Sequence, residues 1–228
     1  MAKQQYFITG TDTDAGKTHV CVGLLKAAAR RGSRSMGVKP IAAGAEVIDG
    51  KLCNEDALQI QAASSVALRY EQVNPVVFAP AIAPHIAAAK ENKIVTVSRL
   101  EGFVRGTLLS PHDFALVEGA GGWRVPVNDR ELLSDLAKRL GMPVIVVVDM
   151  RLGCLNHAFL TMEAIRRDGL QIAGWVANGG QHEMPCYEEN LATLNDMLSA
   201  PLLGSLSWHQ DSQTAEQEFD QLLQNLSS

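Results

Sequence analysis

The chain has 228 residues, 46% hydrophobic and 20% charged, an ordinary globular balance with enough apolar material for a sizeable core. Its net charge of −5 and pI of about 5.7 argue against a nucleic-acid partner held on a broad basic face. Cys21, Cys53, Cys154 and Cys186 lie far apart with no C-x-x-C pair, so reduced thiols are expected rather than a zinc site or a disulfide framework.

The first element is an apolar strand over 5–9, and an amphipathic helix is expected over 18–31. Between them runs Gly10-Thr11-Asp12-Thr13-Asp14-Ala15-Gly16-Lys17-Thr18. Strand, loop and helix in that order are the setting of a phosphate-binding loop. Backbone N–H groups of such a loop cradle anionic oxygens, and the positive end of the helix dipole adds to the attraction. Lys17 supplies a mobile cation for terminal phosphates, and the Thr18 hydroxyl is placed to ligate Mg²⁺. The loop is a variant: counting back from Gly16-Lys17-Thr18, the first glycine of G-x4-G-K-[ST] falls on Thr11.

Further strands are expected at 35–39, 113–118, 143–149, 171–177 and 201–206. Helices are expected at 54–64, 84–91, 97–109, 131–140, 155–168, 186–199 and 213–226. Asn54 before Glu55-Asp56, Pro84 in a first turn, and Ser98 with Glu101 are start signals. Val144–Val148 is a continuous apolar run, as in a parallel strand covered on both faces. With no repeat or linker, the alternation predicts a single α/β domain over 1–228: a doubly wound, mostly parallel sheet flanked by helices, like the P-loop NTPases. No run of about 18 apolar residues and no secretory pattern is present, so a cytoplasmic protein is expected.

Ligands of such sheets gather at the carboxyl ends of the strands. Strand 35–39 ends at Lys39 before Pro40; a lysine there either faces the crevice or is simply solvated. Asp56 lies in a first helical turn, where the dipole alone accounts for an acid. Glu118 closes an apolar strand and precedes Gly119-Ala120-Gly121-Gly122, the position where P-loop enzymes hold the Mg²⁺ shell. The Leu152–Asn156 turn opens a helix whose N–H groups form a second anion site. Asn178, after strand 171–177, matches the donor–acceptor edge of adenine but is equally a common turn residue. His157 reads as structural, and Asp149 carries no assigned role.

These pieces, in this order, resemble the dethiobiotin synthetase family. The segments that carry the resemblance are Gly10–Thr18, Lys39-Pro40, Asn54–Leu58, Asn74-Pro75, Pro84–Ile86, Val117–Trp123, Gly153–Ala158, Gly174–Asn178 and Ala200–Gly204, spanning most of the chain. The resemblance implies ATP- and Mg²⁺-dependent carboxylation of 7,8-diaminononanoate with CO2, through a carbamate that ATP phosphorylates, closing to a cyclic urea. By the match, Lys17 and Lys39 flank the transferring phosphoryl group, and Thr18, Asp56 and Glu118 hold Mg²⁺. Asp14, Ala15, Gly16 and His19 join Lys17 and Thr18 around the nucleotide, with Gly119, Ala120 and Gly121 alongside. Asn178 and Gly179 read adenine, and Ser207, Trp208 and His209 lie beside the base. Thr13, Lys39, Ala43 and Gly121 face the diamine. In the family's homodimer, the turn of Gly153, Cys154, Leu155 and Asn156 in the partner receives the substrate's distant carboxylate.

Two positions depart from the family. Ala43 stands where Ser or Thr is frequent, removing a hydrogen bond that a neighbouring backbone N–H such as that of Gly44, or a water, would have to replace. Ser207 stands where proline is usual. The main rival reading is an ATPase switch of the partitioning or septum-placement type, which carries an early loop lysine where this chain has Asp12. Its membrane-targeting tail is also missing, since 213–226 is acidic. An amidoligase domain or a nucleotide-binding paralogue without catalysis completes the alternatives.

Overall fold

A computed structural model of the chain describes residues 3–179, 184–207 and 212–227. The N-terminal half runs β1 (Gln4–Gly10), α1 (Lys17–Arg30), β2 (Ser35–Val38), β3 (Ile41–Ala43), β4 (Glu46–Ile48), β5 (Lys51–Cys53), α2 (Glu55–Ala63), α3 (Tyr70–Val73) and β6 (Val76–Phe78). It continues through α4 (Pro84–Lys90), α5 (Val97–Thr107), β7 (Phe114–Glu118), α6 (Leu133–Leu140), β8 (Val144–Asp149) and α7 (Cys154–Arg167). Then follow β9 (Ile172–Asn178), α8 (Tyr187–Met197), β10 (Leu202–Leu206) and α9 (Ser212–Leu226).

Six strands form one sheet in the order β10-β9-β8-β1-β7-β2, every neighbouring pair parallel. Successive residues of a strand point to opposite faces. Every residue from Val144 to Val148 is fully buried, as are Phe7 and Ile8, so helices cover both faces of the sheet. The chain leaves β1 for the edge strand β2, returns through β7, then crosses β1 to β8. The carboxyl edge at β1 is therefore the topological switch point, where a crevice opens. Gly10, Glu118, Asp149 and Asn178 end their strands there, and Lys39 follows β2 directly.

The six expected strands and eight expected helices all form, with ends within two residues of the predicted ones. The stretch from Ile41 to Phe78 differs. The sequence shows one helix there; the fold adds α3 and two small two-stranded sheets, β3 with β6 and β4 with β5. Three-residue strands are too short for alternation to register in sequence. This excursion builds its own apolar cluster, in which Ile41, Val76 and Phe78 meet Ala87, Leu100 and Leu136.

Candidate active site

The phosphate loop is stitched to the end of β8 before it turns. Thr11 N–H donates to Val147 O at 2.9 Å, and Thr11 Oγ1 accepts from Asp149 N–H at 3.2 Å. That second bond gives a reason for the variant spacing: the hydroxyl at position 11 does anchoring work that glycine cannot do. Asp14 (φ 59°) and Gly16 (φ 91°) are left-handed and close the loop onto α1. A Cβ on Gly16 would lie 2.1 Å from Asn178 Nδ2, so glycine is required there twice over. Asn178, nearly buried, donates from Nδ2 to Ala15 O at 3.0 Å and thereby pins the loop from β9.

Lys17 is buried and donates to Asp12 O at 3.0 Å. Burial holds its ammonium below the ordinary lysine value; Glu118 opposes that in part, while the charge of Lys39 adds to it. Thr18 Oγ1 donates to Glu118 Oε1 at 2.8 Å.

Glu118 is wholly buried at the end of β7, and Lys39 Nζ lies 2.7 Å from its Oε1 and 2.5 Å from Asp56 Oδ2. Burial alone would lower the Lys39 ammonium; the Glu118 and Asp56 carboxylates overcome it and hold the group above the ordinary lysine range. Glu118 Oε2 is buried without a hydrogen-bond partner. An orphaned carboxylate oxygen beside a threonine hydroxyl and a second carboxylate suits a hard divalent cation. Among the described residues no group of three or more His, Cys, Asp or Glu gathers, so the oxygen donors here are a mixed set of one hydroxyl and two carboxylates.

Residues outside the phosphate loop and the acidic pair place this cluster. Lys39 N–H donates to Val73 O, and Asn74 Nδ2 donates to Lys39 O at 2.7 Å. Tyr70 OH donates to Asn74 Oδ1 and accepts from Asn54 N–H. Asn54 caps α2 by accepting from Ala57 N–H, which sets the first turn that carries Asp56. One tyrosine thus ties the lysine and the carboxylate together. The sequence marks Asn54 as a helix start and Asn74 within Asn74-Pro75; nothing in the local pattern marks Tyr70.

The glycine run lies against the phosphate loop. Gly119 N–H donates to Ile8 O, and a Cβ on Gly121 (φ 59°) would stand 3.5 Å from Thr13 Oγ1. Trp123 Nε1 donates to Asp168 at 2.8 Å and Arg124 pairs with the same carboxylate, fastening the run's far end. Ala43 ends β3, half-buried. The Gly44 backbone N–H is not open to replace a hydroxyl there, because it donates to Pro80 O, and Ala45 N–H likewise donates to Phe78 O. His19 is exposed, its ring edge-on to Phe219 of α9 with centroids 5.2 Å apart.

Gly153 (φ 100°), Cys154, Leu155 and Asn156 open α7 after β8. Cys154 is buried and its N–H donates to Arg151 O, while Asn156 is exposed. Gly179 N–H donates to Leu206 O, and Ser207 is exposed at the end of β10. Trp208 and His209 lie outside the described residues.

A family model described as an AAA domain matches residues 4–216. ATP-dependent dethiobiotin synthetase of Cellvibrio japonicus is 56% identical over 204 residues, 90% of this chain and 89% of that one. The enzyme of that name from Marinobacter nauticus is 49% identical over 217 residues, 95% of this chain and 93% of its own. The chain belongs to the dethiobiotin synthetase family. Among solved structures, the septum site-determining protein MinD of Pyrococcus horikoshii, in complex with Mg-ADP, superposes with a TM-score of 0.60 over 98% of this chain and 95% of that one. Its 18% identity makes that likeness one of fold alone. The split separates the synthetase reading from the switch reading: the dethiobiotin synthetases are similar in sequence across the chain, the septum protein only in architecture.

Proposed function

We propose that the chain is an ATP-dependent cyclo-ligase that carboxylates 7,8-diaminononanoate with CO2 and closes the product to dethiobiotin. The observation that carries the reading is the Lys39 ammonium set between Glu118 and Asp56 beside the phosphate loop. One substrate amine adds to CO2 and loses a proton, giving a carbamate. A carbamate oxygen then attacks the γ-phosphorus of ATP, ADP leaves, and a carbamic–phosphoric anhydride forms. The second amine attacks its carbonyl carbon, expels phosphate and loses a proton, closing the ring.

The protein's share is positioning and charge. Lys17 leaves Asp12 O for the phosphates, and Lys39, kept protonated by its two carboxylates, faces the transferring group from the other side. The N–H groups from Asp14 to Lys17 cradle the phosphates, with the Gly119–Gly121 backbone alongside. Thr13, Ala43 and Gly121 line the diamine's approach. Thr18, Asp56 and Glu118 would hold Mg²⁺, which when bound would neutralise negative charge on the transferring phosphoryl group. Asn178, Gly179 and Ser207 lie toward the base, with one N–H of Asn178 already given to the loop. The enzyme acts as a cytoplasmic homodimer in which the partner's Gly153–Asn156 turn takes the substrate carboxylate. No helix among the described residues is long and apolar enough to cross a membrane.

The test is phosphate release by purified protein given Mg-ATP and bicarbonate. Release that requires the diamine supports the reading. Release indifferent to the diamine, and raised by DNA or lipid vesicles, overturns it in favour of the switch.

A further inference from the structure

The Asp12 carboxylate is fully engaged. Its Oδ1 accepts from Thr13 N–H at 2.8 Å, and its Oδ2 lies 2.7 Å from a terminal nitrogen of Arg151. Arg151 Nε in turn lies 2.5 Å from Asp149 Oδ2. The Asp12 carbonyl is the acceptor on which Lys17 rests. One residue of the loop therefore bears the lysine on its backbone, fixes Thr13 through one carboxylate oxygen, and is gripped by Arg151 through the other. Thr11 adds a second tie to the same corner through Asp149 N–H. The Arg151 carbonyl, finally, accepts the Cys154 N–H at the start of α7.

We propose that Arg151 is a positioning residue for the phosphate loop, acting through Asp12 to set the opening of the loop and the resting place of Lys17. Nucleotide phosphate, rather than the diamine, is the ligand whose binding it governs. The geometry is that of a fork on two carboxylates, which a guanidinium spans and a point-like ammonium does not. The two carboxylates stand on different segments, the loop after β1 and the end of β8, which backbone bonds and the Thr11 hydroxyl also join. Loosening this corner leaves Lys17 and the Thr13 amide free to sample positions in which the cradle is open. The result is weaker ground-state binding of the nucleotide and, to the same extent, of its transition state, so KM for ATP rises while kcat holds. The inference rests on the proposed use of ATP at this loop but not on the identity of the second substrate.

The experiment measures Mg-ATP affinity by calorimetry, and KM and kcat for ATP and diamine separately, in Arg151→Ala, Arg151→Lys, Asp12→Asn and the Arg151→Ala/Asp12→Asn double variant. Because the pair is about half exposed, the expected rise in Kd and KM for ATP with Arg151→Ala is about fivefold. KM for the diamine stays within about twofold, and Arg151→Lys restores less than half of the loss. The double variant is expected to match the worse single one, since both break the same tie. An ATP affinity within about twofold of wild type in Arg151→Ala, or effects that multiply in the double variant, would overturn the proposal. Equal melting temperatures of variant and wild type with the fivefold loss intact would support it. Calorimetry reads the clamp even if no diamine-dependent phosphate release is found, so failure of the synthetase reading and failure of this one are distinguishable.

Discussion

Lys39 Nζ lies 2.7 Å from Glu118 Oε1, and the carboxylate it meets has no solvent exposure. Removing one member of a buried pair leaves the other unpaired at a cost of roughly 3–5 kcal/mol. Asp56 is partly exposed, so the loss for Lys39→Met is expected at the low end, about 3 kcal/mol by urea unfolding. Added Mg²⁺ should raise the melting temperature of Lys39→Met by more than that of wild type, because a divalent cation returns the missing positive charge to Glu118. An identical Mg²⁺ response in the two proteins would remove Glu118 from the cation site.

Lys17 and Lys39 are shifted in opposite directions, which fixes the order in which they deprotonate. Lys17 sits below the ordinary lysine value of 10.5 because it is buried, an effect Glu118 only partly offsets, and Lys39 sits above it. As pH rises, Lys17 is the first to lose its charge. The alkaline limb of kcat/KM for ATP is therefore expected below 10.5, the ordinary value. Lys39 itself pushes Lys17 down, so in Lys39→Met the alkaline limb of Mg-ATP binding moves to higher pH. A limb that stays put or moves toward neutrality in that variant would assign the titration to another group.

Gly16 combines a left-handed backbone with an Asn178 amide 2.1 Å from where a Cβ would sit. The conformation alone disfavours Gly16→Ala by about 1–2 kcal/mol. Nucleotide binding is expected to weaken about tenfold or more, because the loop must shift off Asn178. Adding Asn178→Ala removes the obstruction but not the backbone strain, so the double variant should recover part of the affinity and not all of it. Full recovery would mean that the left-handed turn is not needed for binding.

The sheet and its rim were legible in sequence because long apolar runs and strand-end residues are local signals. Val144–Val148 announces a doubly covered strand, and Glu118 before Gly119 announces a rim. The arrangement around Lys39 was legible only in part. Glu118 is marked by its place at the end of an apolar strand, Asp56 and Asn74 by the family pattern, but Tyr70, which steadies the Lys39 backbone through Asn74, lies in a four-residue helix with no periodicity to read. Arg151 is invisible for a related reason: an exposed arginine after a strand looks like any solvated charge until Asp12 and Asp149 are seen on either side of it. Long-range ion pairs of this kind depend on which strands become neighbours, and the order β8-β1-β7 is a property of topology rather than of any one segment.

Ala43 offers a gain-of-function test. It ends β3 with its carbonyl accepting from Asn54 Nδ2, and the next two backbone N–H groups are already engaged by Pro80 O and Phe78 O. No amide at positions 44 or 45 is therefore open to the diamine or its carbamate. A serine at 43 adds one hydroxyl without disturbing either backbone bond, in a setting roomy enough that Ala43 is only half-buried. A single new hydrogen bond contributes about 0.5–1.5 kcal/mol. Ala43→Ser is accordingly expected to lower KM for the diamine by about two- to tenfold while leaving KM for ATP unchanged. Steady-state kinetics with each substrate varied in turn decides the matter: a change confined to ATP, or none at all, would move the diamine away from β3.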